Sequence, residues 1–173
     1  MKTARLNLRT LTARDATRIA SLAGDWDVAR MTGRIPFPYS ETAALQWVSE
    51  LDIGEVVFGI DYLGDLIGIS GFSSKPDGSA EIGYWIGKPY WGQGFATEAA
   101  EAVMKHGFTK AGIKRFTCCH FTDNPGSARV AAKLGFRALG PCTGWSEARQ
   151  QHLPTVTYER RRPWTTALKA LAS

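Results

Sequence analysis

Alternation of apolar and polar positions predicts seven β-strands along this chain. Leu6 and Leu8 alternate with Asn7 and Arg9, which is typical of a strand with one buried face. The other strands are runs of β-branched and aromatic residues between turn-forming residues. They span residues 56–63, 66–73, 80–86, 115–121, 137–141 and 156–160. Gly64-Asp65 is the expected two-residue turn of a hairpin, and residues 143–153 are expected to be irregular.

Helical spacing predicts four helices among these strands. The first opens at Thr12, with Asp15 three residues later in a capping arrangement. The second begins after Ser40, a favourable N-cap residue, and the third covers residues 96–111. The fourth runs from residue 124 to 135, with proline at its first position and glycine at its end. The order of elements predicts one α/β (α+β) domain over residues 1–173, with a mixed sheet.

Composition is ordinary for a soluble globular domain. The chain has 173 residues, of which 44% are hydrophobic and 21% charged, and this excludes disorder as the default state. No apolar run is long enough for a membrane span, and the first residues lack a secretion signal. Cys118, Cys119 and Cys142 are too few and too unevenly placed for a disulfide framework. We interpret them as reduced core thiols in a cytoplasmic protein, and no metal site is expected.

The positive charge is concentrated in the second half of the chain. Residues 1–87 hold 8 basic and 11 acidic side chains, a net charge of −3, whereas residues 88–173 hold 13 and 5, a net charge of +8. An excess of this size suggests an anionic partner bound by the second half, without saying which one.

A glycine-rich segment stands between a predicted strand and a predicted helix. It reads Lys-Pro-Tyr-Trp-Gly-Gln-Gly-Phe-Ala-Thr-Glu-Ala over residues 88–99. Its glycines allow a tight turn that points several N–H groups outward, and the positive end of the helix dipole follows, so the loop suits a pyrophosphate. Thr97 occupies the place of the third glycine of the dinucleotide fingerprint, and no Gly-Lys-Ser/Thr ending is present. A plain tight turn is the alternative interpretation.

A second segment, residues 122–136, reads Thr-Asp-Asn-Pro-Gly-Ser-Ala-Arg-Val-Ala-Ala-Lys-Leu-Gly-Phe. Helix capping accounts for Asn124, Ser127 and Gly135. Capping does not explain Arg129 and Lys133, which could lie on a solvated face of the helix.

Together the two segments resemble the GNAT superfamily of acetyl-CoA-dependent N-acetyltransferases. The likeness is greatest to the RimJ/RimL-type branch, which acetylates N-terminal amines of ribosomal proteins and other amines. It covers nearly the whole chain: residues 6–9, 36–40 and 82–86 are similar to the first strand, the substrate-side loop and the central strand, and Tyr158, Arg160 and Trp164 to the usual ending. Trp91 stands where the superfamily often has glutamine or arginine, although tryptophan is common in this branch. The resemblance implies a mostly antiparallel seven-stranded sheet, splayed at its central strands and flanked by about four helices.

The resemblance also assigns roles to single residues. It implies that backbone groups of the central strand pair with the pantetheine arm and that the loop amides hold the pyrophosphate. Asn124 is then a cofactor contact, Ser127 the acid that returns a proton to the CoA thiolate, and Arg129 and Lys133 candidates for the 3′-phosphate. The implied strand and loop contacts are Trp85, Ile86, Gly87, Trp91, Gly92, Gln93, Gly94, Phe95, Ala96 and Thr97.

Glu81 is the preferred candidate for the general base. Alternation places it on the same face of the predicted strand as Gly83 and Trp85, and the branch often carries a carboxylate nearby that orders a water. A surface carboxylate is the alternative. Glu98 is a weaker candidate, because a helix dipole by itself favours an acid in the first turn.

The acceptor side is less defined by the sequence. Trp26, Phe37, Tyr39 and Trp145 are aromatic residues outside the core periodicity, and they could wall an amine cleft or simply pack. The pattern predicts an amine acceptor, either a small molecule or a protein N-terminus. We expect no membrane contact and no direct contact with nucleic acid, and the family resemblance allows a homodimer. The competing hypothesis is a basic nucleic-acid- or ribosome-binding module without catalysis, supported by the charge of residues 160–162.

Overall fold

The computed structural model describes residues 1–51 and 55–163, and its centre is one seven-stranded sheet. The strand order is β1-β2-β3-β4-β5-β7-β6, and only the β4–β5 pair is parallel among the described strands. The strands are β1 Asn7–Arg9, β2 Glu55–Tyr62, β3 Asp65–Ser74, β4 Ser79–Ile86, β5 Arg115–Phe121, β6 Arg137–Ser146 and β7 Gln151–Arg161. The predicted mixed, mostly antiparallel sheet is confirmed.

Helices cover both faces of the sheet. They are α1 Ala16–Ala23, α2 Trp26–Ala29, α3 Glu41–Ser49, α4 Phe95–Thr109 and α5 Pro125–Lys133. Helices α4 and α5 pack on one face over a core that includes Phe72, Phe95 and Phe116. Helices α1 and α3 pack on the other face around Ile19, Ala44 and neighbouring apolar residues. One face of the central strand β4 is covered by the first core, through Ala80, Ile82 and Ile86, whereas Glu81 and Gly83 on the other face are exposed.

The predicted helix starts are confirmed. Thr12 and Asp15 form a capping box, although the turn there is a 3₁₀ helix, Ala13–Asp15, that leads into α1. The Ser40 hydroxyl accepts a hydrogen bond from the Ala43 N–H at 3.1 Å. Local side-chain chemistry therefore fixes these boundaries, as expected for N-caps.

Three predictions about elements were wrong. A fifth helix, α2, precedes the proline-containing loop. The hairpin turn is Leu63-Gly64, since Tyr62 pairs with Asp65 and both turn residues have positive φ, as a type I′ turn requires. Residues 143–153 are not irregular, because β6 and β7 pair from Arg137 to Ser146 as a long hairpin.

Both strands of that hairpin are longer than predicted, and each contains a proline, a residue that usually argues against a strand. Pro141 lies on β6, an edge strand, where a missing N–H costs no ladder bond on the open side. Pro154 lies beyond the last β5–β7 pair, which joins Phe121 to Thr155. Both prolines therefore sit where the sheet tolerates them.

The cysteines only partly match their interpretation. All three are free thiols, as expected, and Cys118 is buried. Cys119 and Cys142 are exposed, so they are not core residues. Trp164 lies outside the described residues. Over residues 1–51 and 55–163, the structure has no helix with the length and apolar character needed to cross a membrane.

Candidate functional site

A gap opens between the two central strands. Strands β4 and β5 pair only at their first three positions, from Ser79–Arg115 to Glu81–Thr117. On their outer sides β4 stays paired with β3 as far as Ile86, and β5 stays paired with β7 as far as Phe121. Each strand is thus held by its outer neighbour while the inner edges part, which leaves backbone N–H and C=O groups facing a cleft.

The start of α4 closes one side of this cleft and is built from backbone alone. Gly92 and Gly94 have φ of +78° and +82°, a region in which a side chain would be strained. Gly94 is the N-cap, and no side chain caps the helix. The first amides of α4, from Phe95 to Thr97, therefore point outward at the positive end of the dipole, as an anion site requires.

Two expected contacts of the strand end already have protein partners. The Trp91 indole N–H donates to the Ile86 carbonyl at 2.6 Å, and the Gly87 N–H donates to the Ile67 carbonyl at 2.8 Å. Trp91 thereby ties the glycine loop to the end of β4. The structure thus gives Trp91 a side-chain role in shaping the loop.

Glu98 anchors the N-terminal segment to the glycine loop that precedes α4. Its carboxylate accepts hydrogen bonds from the Thr3 hydroxyl at 2.6 Å and from the Arg5 backbone N–H and Nε, both at 2.8 Å. Burial acts to raise the pKa of Glu98, but these hydrogen bonds outweigh it and hold the pKa below its usual value. Arg5 also donates to the Gln93 carbonyl at 3.0 Å and lies over the Phe95 ring. Sequence reasoning missed Arg5, which no motif marks.

The start of α5 closes the other side of the cleft and is capped by a side chain. The Asn124 Oδ1 atom accepts from the Ser127 N–H at 3.0 Å, and the Asn124 amide donates to the Met31 carbonyl at 3.4 Å. Pro125 occupies the first helical position and has no N–H. This end of α5 thus uses its amides for the fold and contributes the Ser127 hydroxyl.

Tyr84 of β4 joins Ser127. Burial raises the pKa of the Tyr84 phenol to about 12, while a hydrogen bond with Ser127 acts the other way. The phenol is therefore neutral near pH 7 and lies close enough to the Ser127 side chain to affect its own titration. The alternation along β4 could have indicated this position, because it places Tyr84 on the same buried face as Ile82 and Ile86.

The thiol of Cys118 faces the same core. Burial raises the pKa of Cys118 to about 12, with smaller contributions from Cys119 and Glu81. A thiol with so high a pKa is a poor nucleophile near neutral pH, because the thiolate is the reactive form.

Glu81 lies where β4 and β5 part, on the face opposite Tyr84. It is exposed, shares its face with Gly83 and Trp85 as predicted, and pairs with Lys75 at 3.3 Å. A Cβ atom built on Gly83 would meet no atom within 4 Å, so the strand face next to Glu81 opens into free space. Trp85 packs against the α1–α3 core and borders this space. A reacting group could reach Glu81 there.

Arg149 joins the turn between β6 and β7 to the segment after α2 and to the end of β5. It projects from the β6–β7 turn and donates to the Arg30 carbonyl at 2.7 Å and to the Asp123 carboxylate at 2.7 Å. Its side chain is only 12% exposed, and it lies over the Phe121 ring. The Glu147 N–H donates to the Gly33 carbonyl at 3.0 Å. The segment after α2 is therefore joined to the hairpin and, through Asn124, to α5.

The predicted acceptor aromatics form two exposed groups. Trp26 and Phe37 meet edge to face with ring centroids 5.0 Å apart, and 43% and 46% of their surfaces are exposed. The rings of Trp145 and His152 meet edge to face with their centroids 5.1 Å apart, and Trp145 is also exposed. Tyr39, by contrast, packs against the α1–α3 core, so it belongs to the fold.

Arg129 and Lys133 are exposed and lie four residues apart on α5, so they share one face of the helix. The structure brings Glu81, Ser127 and Asn124 to the cleft between β4 and β5. Of the predicted cofactor contacts, residues 91–97 form its α4 side.

Comparisons with known proteins agree with this geometry. The sequence pattern of the acetyltransferase (GNAT) domain matches residues 5–137. An uncharacterized N-acetyltransferase of Bacillus subtilis, YoaA, is 33% identical over 148 residues, 81% of this chain and 84% of the relative. A ribosomal-protein-serine acetyltransferase of Escherichia coli is 36% identical over 74 residues, 42% of this chain and 41% of the relative. The solved structure of RimL, a ribosomal L7/L12 alpha-N-protein acetyltransferase in complex with coenzyme A, has a TM-score of 0.81 at 20% identity, covering 92% of this chain and 95% of that one.

Proposed function

Since the chain belongs to the GNAT family of N-acetyltransferases, we propose that it transfers an acetyl group from acetyl-CoA to a primary amine by direct attack. The observation that carries the proposal is the pairing of two features at one cleft. The β4–β5 edges part after three residue pairs, and the adjoining α4 N-terminus has a glycine cap and no side-chain cap. A strand-like amide arm and a pyrophosphate fit these two features.

The residues present suit acetyl-CoA, which supplies an activated acetyl thioester. The amides of residues 91–97 would bind the pyrophosphate, and the edge of β4 that is unpaired with β5 after Glu81 would bind the pantetheine arm. The Ile86 carbonyl and the Gly87 N–H are already engaged within the protein. Arg129 and Lys133 would meet the 3′-phosphate, since both are exposed on one face of α5. The phosphates of this cosubstrate account for part of the basic excess of the second half of the chain.

Glu81 would take the proton of the attacking amine, directly or through a water. An N-terminal α-amine has a pKa of about 7.7–8.0, so a weak base suffices. Ser127, which lies beside Tyr84, would protonate the departing thiolate. Asn124 would fix the start of α5 so that this hydroxyl lies at the cleft. Most of the rate enhancement would then come from holding two reactants together, with proton transfer assisted on either side.

The acceptor we favour is the N-terminal amine of a peptide. Relatives named for ribosomal proteins support this choice, and the exposed pair of Trp26 and Phe37 offers apolar contact for the first side chains. A small amine is the second candidate. The hypothesis of a binding module without catalysis gains no support from the comparisons, whose proteins are acetyltransferases.

The decisive experiment is a turnover screen with acetyl-CoA against short peptides that begin with alanine, serine or methionine and against a panel of small amines. We expect thiol release that requires an amine and is at least about tenfold slower in Glu81→Gln. The matched control is Glu101→Gln, which makes the same change from carboxylate to amide at an exposed position of α4. No turnover with any amine, together with no rise of the melting temperature on adding acetyl-CoA, would refute the proposal.

A further inference from the structure

A cluster of charged side chains lies at the end of the sheet where β4 and β5 are still paired, away from the cleft. Three adjacent strands, in the order β5-β7-β6, end or begin there with arginine. Arg115 is directly opposite Arg161 in the register, and Arg137 is opposite Glu159. Like charges directly opposite each other destabilise a sheet, so this arrangement needs a compensating interaction.

Glu159 provides only part of that compensation. Its carboxylate is buried, and it lies 2.6 Å from Arg137 and 3.8 Å from both Arg115 and Arg161. The pKa of Glu159 lies below its usual value, chiefly because of the hydrogen bond from Arg137 and to a smaller extent because of the other nearby arginines. The carboxylate therefore stays ionised. Asp77 compensates a second charge, since its carboxylate lies 2.9 Å from Arg115. Two carboxylates thus face three guanidinium groups. Arg137 and Arg161 remain 75% exposed.

Two shallow hollows flank Arg161. One has a volume of about 250 Å³ and the other about 380 Å³. Their charged lining side chains are the carboxylates Asp77 and Glu159 and five cations, Lys114, Arg115, Arg137, Arg160 and Arg161. Glycine and serine complete the lining, so among the described residues neither hollow contains an apolar or aromatic side chain.

We propose that this surface binds the phosphodiester backbone of a duplex nucleic acid. A protein partner normally requires an apolar interface core, which the lining lacks. A single strand is normally held by base stacking on aromatic rings, and the lining offers none. What the surface does offer is guanidinium groups on adjacent strands, and these suit phosphate oxygens. The basic residues are scattered along the chain, and the sheet brings Arg115, Arg137 and Arg161 onto adjacent strands.

The test measures fluorescence anisotropy of labelled duplexes of about 20 base pairs, one RNA and one DNA of the same sequence, between about 50 and 200 mM salt. The variant is Arg137→Gln/Arg161→Gln, which removes two exposed guanidinium groups. The matched control is Arg14→Gln/Lys105→Gln, which makes the same change of net charge at exposed positions on other elements. A single-stranded RNA and a polyglutamate peptide are the competing ligands.

We expect salt-dependent binding of a duplex by the native chain and by the control. In the Arg137/Arg161 variant the slope of log affinity against log salt should fall by about 1.8, since each phosphate contact contributes roughly 0.9. Binding of RNA and DNA alike, or of RNA alone, would both support backbone recognition. Absence of duplex binding at the lowest salt, an equal loss in the control, or tighter binding of the peptide or the single strand would overturn the proposal. None of these outcomes depends on acetyl transfer.

Discussion

The two helix starts that flank the cleft are built in opposite ways. Helix α4 begins at Gly94, with φ of +82° and no side-chain cap. Helix α5 begins at Asn124, whose Oδ1 accepts from the Ser127 N–H, and continues with a proline that has no N–H. The start of α4 leaves its first amides pointing outward, whereas the start of α5 has a proline without an N–H and a side-chain cap on the Ser127 N–H.

The difference separates two functions within one cleft. A start built from backbone alone can bind an anion but supplies no proton, because peptide N–H groups do not ionise near neutral pH. A start capped by a side chain cannot bind an anion as well, yet it presents a hydroxyl in a fixed place. We therefore expect substitutions at α4 to affect cosubstrate binding and substitutions at α5 to affect turnover.

The largest expected effect is that of Ser127→Ala. The cap of α5 uses the backbone N–H of this residue, so the fold should persist. Turnover with the best amine of the screen should fall about 100-fold, as expected for loss of a general acid. The rise of the melting temperature with acetyl-CoA should remain, and Ser127→Thr should restore part of the rate. A kcat equal to that of the native chain would remove Ser127 from the mechanism.

A smaller effect is expected for Gly92→Ala. Gly92 has φ of +78° and an added Cβ would meet no atom within 4 Å, and Gly112 has φ of +69° with the same open surroundings. Both alanine variants should lose about 1 kcal/mol of stability from backbone strain. Only Gly92→Ala should raise the KM for acetyl-CoA, by about tenfold, since only it lies at the loop proposed for the pyrophosphate. Equal KM values in the two variants would contradict that placement.

Asn124→Ala should cost about 1 kcal/mol through loss of the cap. For a chain of this size the melting temperature would fall by roughly 2–4 °C. Asn124→Ser keeps a capping oxygen but lacks the amide that donates to the Met31 carbonyl. The serine variant should melt nearly as the native chain does while its KM for the amine rises. An unchanged KM would mean that this link to the acceptor side has no effect on binding.

The smallest effect concerns pH. The pKa of Asp123 lies below its usual value, chiefly because its carboxylate accepts hydrogen bonds from Arg149. A lowered folded-state pKa stabilises the protein above the ordinary aspartate value of about 3.9, and that stabilisation is lost as the pH falls through the folded-state value. Because 48% of the side chain is exposed, the contribution is a few tenths to about 1 kcal/mol. Asp123→Asn should thus lower the melting temperature slightly at pH 7, and the difference from the native chain should shrink as the pH falls below about 3.9 towards the folded-state pKa.

Much of the cleft could be predicted because its signals are local. The capping of α3 and α5, the glycine loop before α4 and the side of β4 that carries Glu81 each depend on a few adjacent residues, and each agrees with the structure. The acceptor side could not, since it is held by long-range contacts. Arg149 reaches the Arg30 carbonyl across 119 residues, from a turn that the pattern indicated to be irregular.

The order of the seven strands along the chain, the starts of α4 and α5 and the family could all be predicted from the sequence. These follow from periodicity, capping residues and short motifs, in which the interacting groups are close in sequence. The tertiary arrangement sets the point, after three pairs, at which β4 and β5 part, places Tyr84 beside Ser127, and gathers Arg115, Arg137 and Arg161 around Glu159. Each of these depends on which strands become neighbours in the sheet, and strand neighbours are chosen by packing of the whole core and not by any single segment.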